Sequence, residues 1–126
     1  METVLAIAVG GGLGSVLRHL LNNAVGGAAG TGFPWGILII NVLGSFVMGV
    51  LISVFAHTWE PPQSMRAFLT VGILGGFTTF STFSADSVLL LERGAFGPAA
   101  FYVFGSVGMG LAALYAGMLI VRMITA

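Results

Sequence analysis

The chain has 126 residues, 57% of them hydrophobic and only 6% charged, with four basic against four acidic side chains. A soluble domain carries about 25% charged residues, so a surface written for water is excluded. Zero formal net charge with no run of Lys or Arg excludes nucleic acid as a partner, and the absence of cysteine excludes disulfides, thiolate metal sites and cysteine nucleophiles together.

Roughly 20 apolar residues, each rising about 1.5 Å, cross a hydrocarbon core of about 30 Å. Four runs meet that length. The first extends from Thr3 to Leu21 and ends where Arg18, His19, Asn22 and Asn23 reach the interface. Glu2 stands where a signal peptide would be positive, so the segment reads as a retained helix. Gly26-Gly27-Ala28-Ala29-Gly30 then predicts a flexible loop. The second run, Trp35 to Ala56, is bracketed by Trp35 and Trp59, whose amphipathic rings suit the two membrane surfaces. Glu60-Pro61-Pro62-Gln63 predicts a turn, because proline lacks the amide that would continue a helix. The third run spans Met65 to Leu91, longer than one straight crossing needs. The fourth starts at Phe96 to Pro98 and ends near Met123, with Arg122 at its exit. No second domain and no repeat of solenoid period is visible, which predicts an all-α membrane protein of one four-helix domain over residues 1–126.

Excess Lys and Arg in short loops fixes which side faces the cytoplasm. Threading four spans puts Arg66 and Arg122 on one side and Arg18 and Arg93 on the other, so neither side wins. A tied vote predicts insertion both ways, with oppositely inserted copies paired about a two-fold axis in the membrane plane. Gly10 and Gly14, Gly72 and Gly76, and Ser45 and Gly49 give small-xxx-small spacing, which lets helix backbones approach without naming the partner.

The third run contains GGFTTFSTFS, Gly75 to Ser84. The glycine pair falls about ten residues in, or about 15 Å deep, near the midplane. Adjacent glycines weaken a helix there, and freed backbone groups survive only where they are buried in protein or line a polar cavity. The competing reading is a packing contact, with the hydroxyls bonding back to the preceding turn. Thr78, Thr79, Ser81, Thr82 and Ser84 donate or accept without titrating. Phe80 and Phe83 share a helix face, and aromatic edges are positive where faces are negative; their spacing equally fits plain packing. Asn41, in the second span, offers an uncharged amide donor or interhelical glue.

What is missing narrows the class. Glu2, Glu60 and Glu92 map to ends or loops and Asp86 to the far end of the third span, which argues against a small proton-coupled multidrug antiporter. No Arg or Lys lies mid-span, and conduction requires sites weak enough to release their ion. His19 and His57 sit near interfaces without neighbouring ligands, and no Ser-His-Asp or paired-carboxylate constellation points to an enzyme.

Taken with GGGLGSVLRHL in the first run, PWGILIINVLGSF in the second and YVFGSVG in the fourth, these residues resemble the Fluc fluoride channel family, also called CrcB, over nearly the whole chain. The resemblance implies a dual-topology antiparallel homodimer with two fluoride pathways and a structural sodium ion at the two-fold axis. It implies that Asn41 donates to fluoride near a vestibule and that Phe80 and Phe83 line each pathway. Ser81, Thr82 and Ser84 would form part of the polar track, with Tyr102 and Ser106 lining it from the fourth helix. The carbonyls of Gly75 and Thr78 would ligate the sodium. Two positions depart from the pattern: Ile37 and Gly110 stand where hydroxyls are common, which puts an outer hydration site in doubt. Asp86 replaces a frequent Glu and keeps the charge, and Arg18 resembles the family's basic residue at the end of the first helix. The resulting expectation is passive export of cytoplasmic fluoride; a multidrug antiporter and a noncatalytic membrane scaffold are the rivals.

Overall fold

The computed structural model describes residues 1–29 and 32–125. Among these the secondary structure is entirely helical: α1 (Glu2–Ala29), α2 (Trp35–His57), α3 (Gln63–Ala67), a π-helical segment (Phe68–Leu74), α4 (Gly75–Phe77), α5 (Phe80–Glu92) and α6 (Phe96–Thr125). Four stretches are long and apolar enough to cross a bilayer: Glu2–Gly26, Trp35–His57, Gln63–Glu92 and Phe96–Thr125.

The expected loop at Gly26 to Gly30 is corrected. The first helix continues through Ala29, and Gly30 lies outside the described residues. Glycine costs a helix about 1 kcal/mol, but an amide left unbonded in an apolar surround costs more. Tertiary contact also anchors this end: a methyl at Gly36 would overlap Asn22 Oδ1, so the end of α1 lies directly against the start of α2. Arg18 is therefore well inside α1 rather than at its terminus.

The second span stops where Thr58 turns its amide and its Oγ1 onto the Val54 carbonyl, both at 2.9 Å. Two prolines follow, and α3 begins at Gln63. At this end Phe55 holds Trp59 edge-on, with ring centroids 5.9 Å apart, and the Arg66 guanidinium 4.8 Å from its own centroid.

The small-residue pairs pack the subunit against itself. A methyl at Gly14 would run into the Ile73 carbonyl and the Phe77 amide; one at Gly10 would lie 2.6 Å from the Phe68 carbonyl. Gly72 and Gly76 meet the backbone of Gly10 and Gly11 in return, so α1 and the third span touch main chain to main chain. On the other side α2 lies along α6. Gly49 faces the Leu114 carbonyl, Gly117 faces the Phe46 carbonyl, and the buried Ser53 Oγ donates to the Met118 carbonyl at 3.1 Å.

The glycine pair in the third span does not itself leave the helix. Gly75 has φ −62° and ψ −37°, an ordinary helical conformation. Its neighbour Gly76 is small because Gly11 lies against it. The helical geometry lapses at the next two residues, Thr78 (ψ 157°) and Thr79 (φ −151°, ψ 121°), and resumes at Phe80. The segments on either side remain almost collinear, with a bend of only 17°.

Candidate functional site

The two-residue lapse rests on α2. Asn41 and Gly44, three apart and so on one face of α2, form the seat. The Thr79 amide donates to Asn41 Oδ1 at 2.9 Å, and Asn41 Nδ2 donates to the Thr79 carbonyl at 3.2 Å. Gly44 leaves the space that the Thr78 methyl fills, since a Cβ there would overlap it and approach the Phe77 ring to 3.3 Å. Thr79 then caps α5: its Oγ1 accepts from the Thr82 amide at 3.2 Å, satisfying one of the donors that every helix start leaves free.

Both diversions take a helical donor away from a backbone oxygen. In a continuous helix the Thr79 amide would reach the Gly75 carbonyl, and the Thr82 amide the Thr78 carbonyl. Here Asn41 takes the first donor and the Thr79 hydroxyl takes the second.

The hydroxyls divide into two groups. Thr79 Oγ1 lies 3.3 Å from Ser81 Oγ and donates to Thr82 Oγ1 at 3.2 Å, making a cluster at the start of α5. Thr78 and Ser84 instead bond back one turn, to the Leu74 and Phe80 carbonyls at 2.9 and 3.0 Å. Ser45 likewise donates to the Asn41 carbonyl at 2.7 Å. An open groove of about 330 Å³ runs beside them, lined among others by Asn41, Thr78, Thr79, Phe80, Phe83 and Ser106. No charged side chain lines it among the described residues. Ser106 Oγ is buried there and has no hydrogen-bond partner among the described residues.

A file of rings follows the groove wall. Phe80 and Phe83 have centroids 5.7 Å apart, Phe83 and Tyr102 5.2 Å, and Tyr102 and Phe33 5.6 Å at right angles. Phe80 is 78% exposed, whereas Tyr102 is fully buried. The Tyr102 hydroxyl donates to Asp86 Oδ2 at 3.2 Å. Thus Asn41, Thr78, Phe80, Phe83 and Ser106 share one groove, and Ser81, Thr82 and Tyr102 adjoin it through the hydroxyl cluster and the ring file. The Ser84 hydroxyl is engaged by its own helix, and Gly75 precedes the lapse by one short turn.

Gly44 was missed in the sequence, as were the partners of Thr79 and Asp86. Gly44 reads as one more glycine in a glycine-rich chain, and Thr79 as one more hydroxyl, because nothing local announces a seat on another helix. The Asp86–Tyr102 bond did leave a signal: the two residues are equidistant in sequence from Gly94, which has φ +75° in the turn between α5 and α6. Antiparallel helices joined there bring them level.

Four apolar spans around an uncharged, ring-walled polar groove define a multi-pass membrane protein. The pattern of the family described as CrcB-like protein, Camphor Resistance (CrcB), matches residues 5–118. Among curated proteins, the fluoride-specific ion channel FluC of Rhodospirillum centenum is 52% identical over 97% of both chains. The FluC of Nitrobacter winogradskyi is 52% identical over 96% of both, and that of Agrobacterium fabrum 45% identical over 97% of this chain and 98% of its own. The chain belongs to the CrcB family and is a multi-pass protein of the bacterial cell membrane.

Proposed function

We propose that this chain is a fluoride-selective channel, not an enzyme, that lets cytoplasmic fluoride leave passively down its electrochemical gradient. The observation that carries the reading is the groove itself, where neutral donors and phenyl rings meet without one fixed charge. Fluoride surrenders its water only to groups that replace it, yet a buried Arg or Lys would hold the ion too tightly for conduction. Ser106, whose hydroxyl has no partner among the described residues, supplies a donor directly. Asn41 retains one N–H beyond the one used on Thr79. Ser81 and Thr82 extend the polar track, Ser84 joins it only when its hydroxyl releases the Phe80 carbonyl, Tyr102 borders it, and the Phe80 and Phe83 ring edges complete it.

The working unit in this reading is an antiparallel, dual-topology homodimer of single-domain subunits with two pathways. Its support is the exposure of Phe80 in the lone chain, beside an exposed Ser81, together with the tied basic residues. The third span then acts as a helix broken at Thr78–Thr79. Gly75 and Thr78, whose helical donors are diverted, present the hard carbonyl oxygens an alkali cation prefers, and a second copy would double their number. A sodium ion held there would make the surrounding potential more favourable to anions.

Liposomes loaded with potassium fluoride provide the test. Reconstituted protein should release fluoride rapidly, leave chloride inside and need no proton gradient. Efflux that tracks a pH gradient would support the antiporter, and absence of efflux the scaffold.

A further inference from the structure

We infer that Asn41 is a positioning residue for the third span: its carboxamide clamps both main-chain groups of Thr79 and holds the two-residue lapse open, so setting where Phe80 and Phe83 stand. This rests on the ring-walled pathway proposed above, and it assigns Asn41 work that is separate from touching the ion.

The chemistry selects the residue. A carboxamide carries an acceptor and a two-proton donor side by side, so it can meet the N–H and the C=O of a single residue as a neighbouring strand would. The bonds to Thr79 measure 2.9 and 3.2 Å. A hydroxyl side chain has the reach for neither pair at once, and a carboxylate accepts but cannot donate. The surroundings fix the clamp from below. Gly44 admits the Thr78 methyl, and Ser45 Oγ ties off the Asn41 carbonyl at 2.7 Å.

Without the clamp, the Thr79 amide loses its partner and can return to the Gly75 carbonyl, closing a continuous helix against only the weaker hold of the Thr79 cap on the Thr82 amide. Two residues passing from extended to helical geometry shorten the span by about 3–4 Å. The two rings would also swing around the helix axis, away from Tyr102, which Phe83 now meets at 5.2 Å.

The test is NMR of the full chain in lipid nanodiscs in fluoride-free buffer, with 13C-threonine and with 4-fluorophenylalanine at position 80. Wild-type Thr79 should show the Cα and Cβ shifts of extended backbone. Asn41→Ala should bring them to helical values, move the fluorine resonance beyond its linewidth and slow efflux at least tenfold. Asn41→Asp keeps the acceptor for the Thr79 amide and should keep the extended shifts. Extended shifts that persist in Asn41→Ala overturn the clamp, as do shifts equally helical in Asn41→Asp. If Asn41→Ala does not assemble, helical shifts at Thr79 in the wild type or in Asn41→Asp overturn it. A wild-type protein that releases no fluoride would remove the pathway reading and leave these shifts untouched, so the two failures are distinct.

Discussion

Phe83 sits between two rings, Phe80 on its own helix and Tyr102 on α6, at 5.7 and 5.2 Å. Such aromatic pairs contribute about 0.5–1.5 kcal/mol beyond simple burial, so its place is set by packing as well as by the pathway. An aliphatic side chain of similar bulk preserves much of the apolar contact and abolishes the polar edge. Phe83→Ile and Phe80→Ile are therefore expected to slow fluoride efflux from liposomes more than tenfold while the protein elutes at its wild-type volume. Unchanged flux in both would remove the rings from the pathway. Gly44 and Thr79 illustrate the limit of reading residues one by one. Each earns its role from an atom on another helix: the Thr78 methyl for one, the Asn41 carboxamide for the other.

At the level of elements, the third span combines five segments of three local geometries in nearly one line. A short α-turn leads into the π-helical segment Phe68–Leu74, then come α4, the extended pair and α5. Gly72 and Gly76 of this span serve the contact with α1, and the contact makes a sharp prediction about two neighbours. Gly14→Ala would push a methyl into the Ile73 carbonyl and the Phe77 amide, and backbone has little room to yield. It should cost about 1–3 kcal/mol, as overpacking does, and lower the thermal midpoint in detergent. Gly11→Ala meets open space and should be neutral or stabilise by up to about 1 kcal/mol, because alanine is the better helix former. Equal melting of the two variants would contradict the close approach of α1 to the third span. The π-segment sits where α1 presses hardest; the widened turn there coincides with main-chain contacts to Gly10 and Gly14.

At the level of the whole molecule, the apolar exterior and the exposed ring at the groove bear on the same question of what surrounds the chain. Val4, Val9, Leu13 and Val16 of α1 are more than half or about half exposed, as lipid-facing side chains are. Phe80 is still more exposed, next to polar Ser81, which suits a protein partner better than lipid. The chain has no cysteine, so a single introduced thiol reports cleanly. Glu92→Cys, exposed at the end of α5, should react with a membrane-impermeant maleimide from either side, with about half of the copies accessible from each. Labelling from one side alone would rule out dual topology.

Much of this architecture was legible along the chain. Four apolar runs of crossing length, tryptophans at the ends of the second, and prolines at its exit yield the last three spans to within a few residues, while the first ends eight residues beyond its expected Leu21; the bilayer imposes a length and denies unpaired amides. The quoted motifs were sufficient to indicate the family. Only the folded arrangement decided the rest. It extended α1 past its terminal glycines, kept Gly75–Gly76 helical, and moved the lapse to Thr78–Thr79. The physical reason is common to all three: backbone geometry in an apolar surround follows whichever partner satisfies its N–H and C=O groups. At Thr78–Thr79 that partner is Asn41, distant in sequence and adjacent only after α2 and the third span have packed.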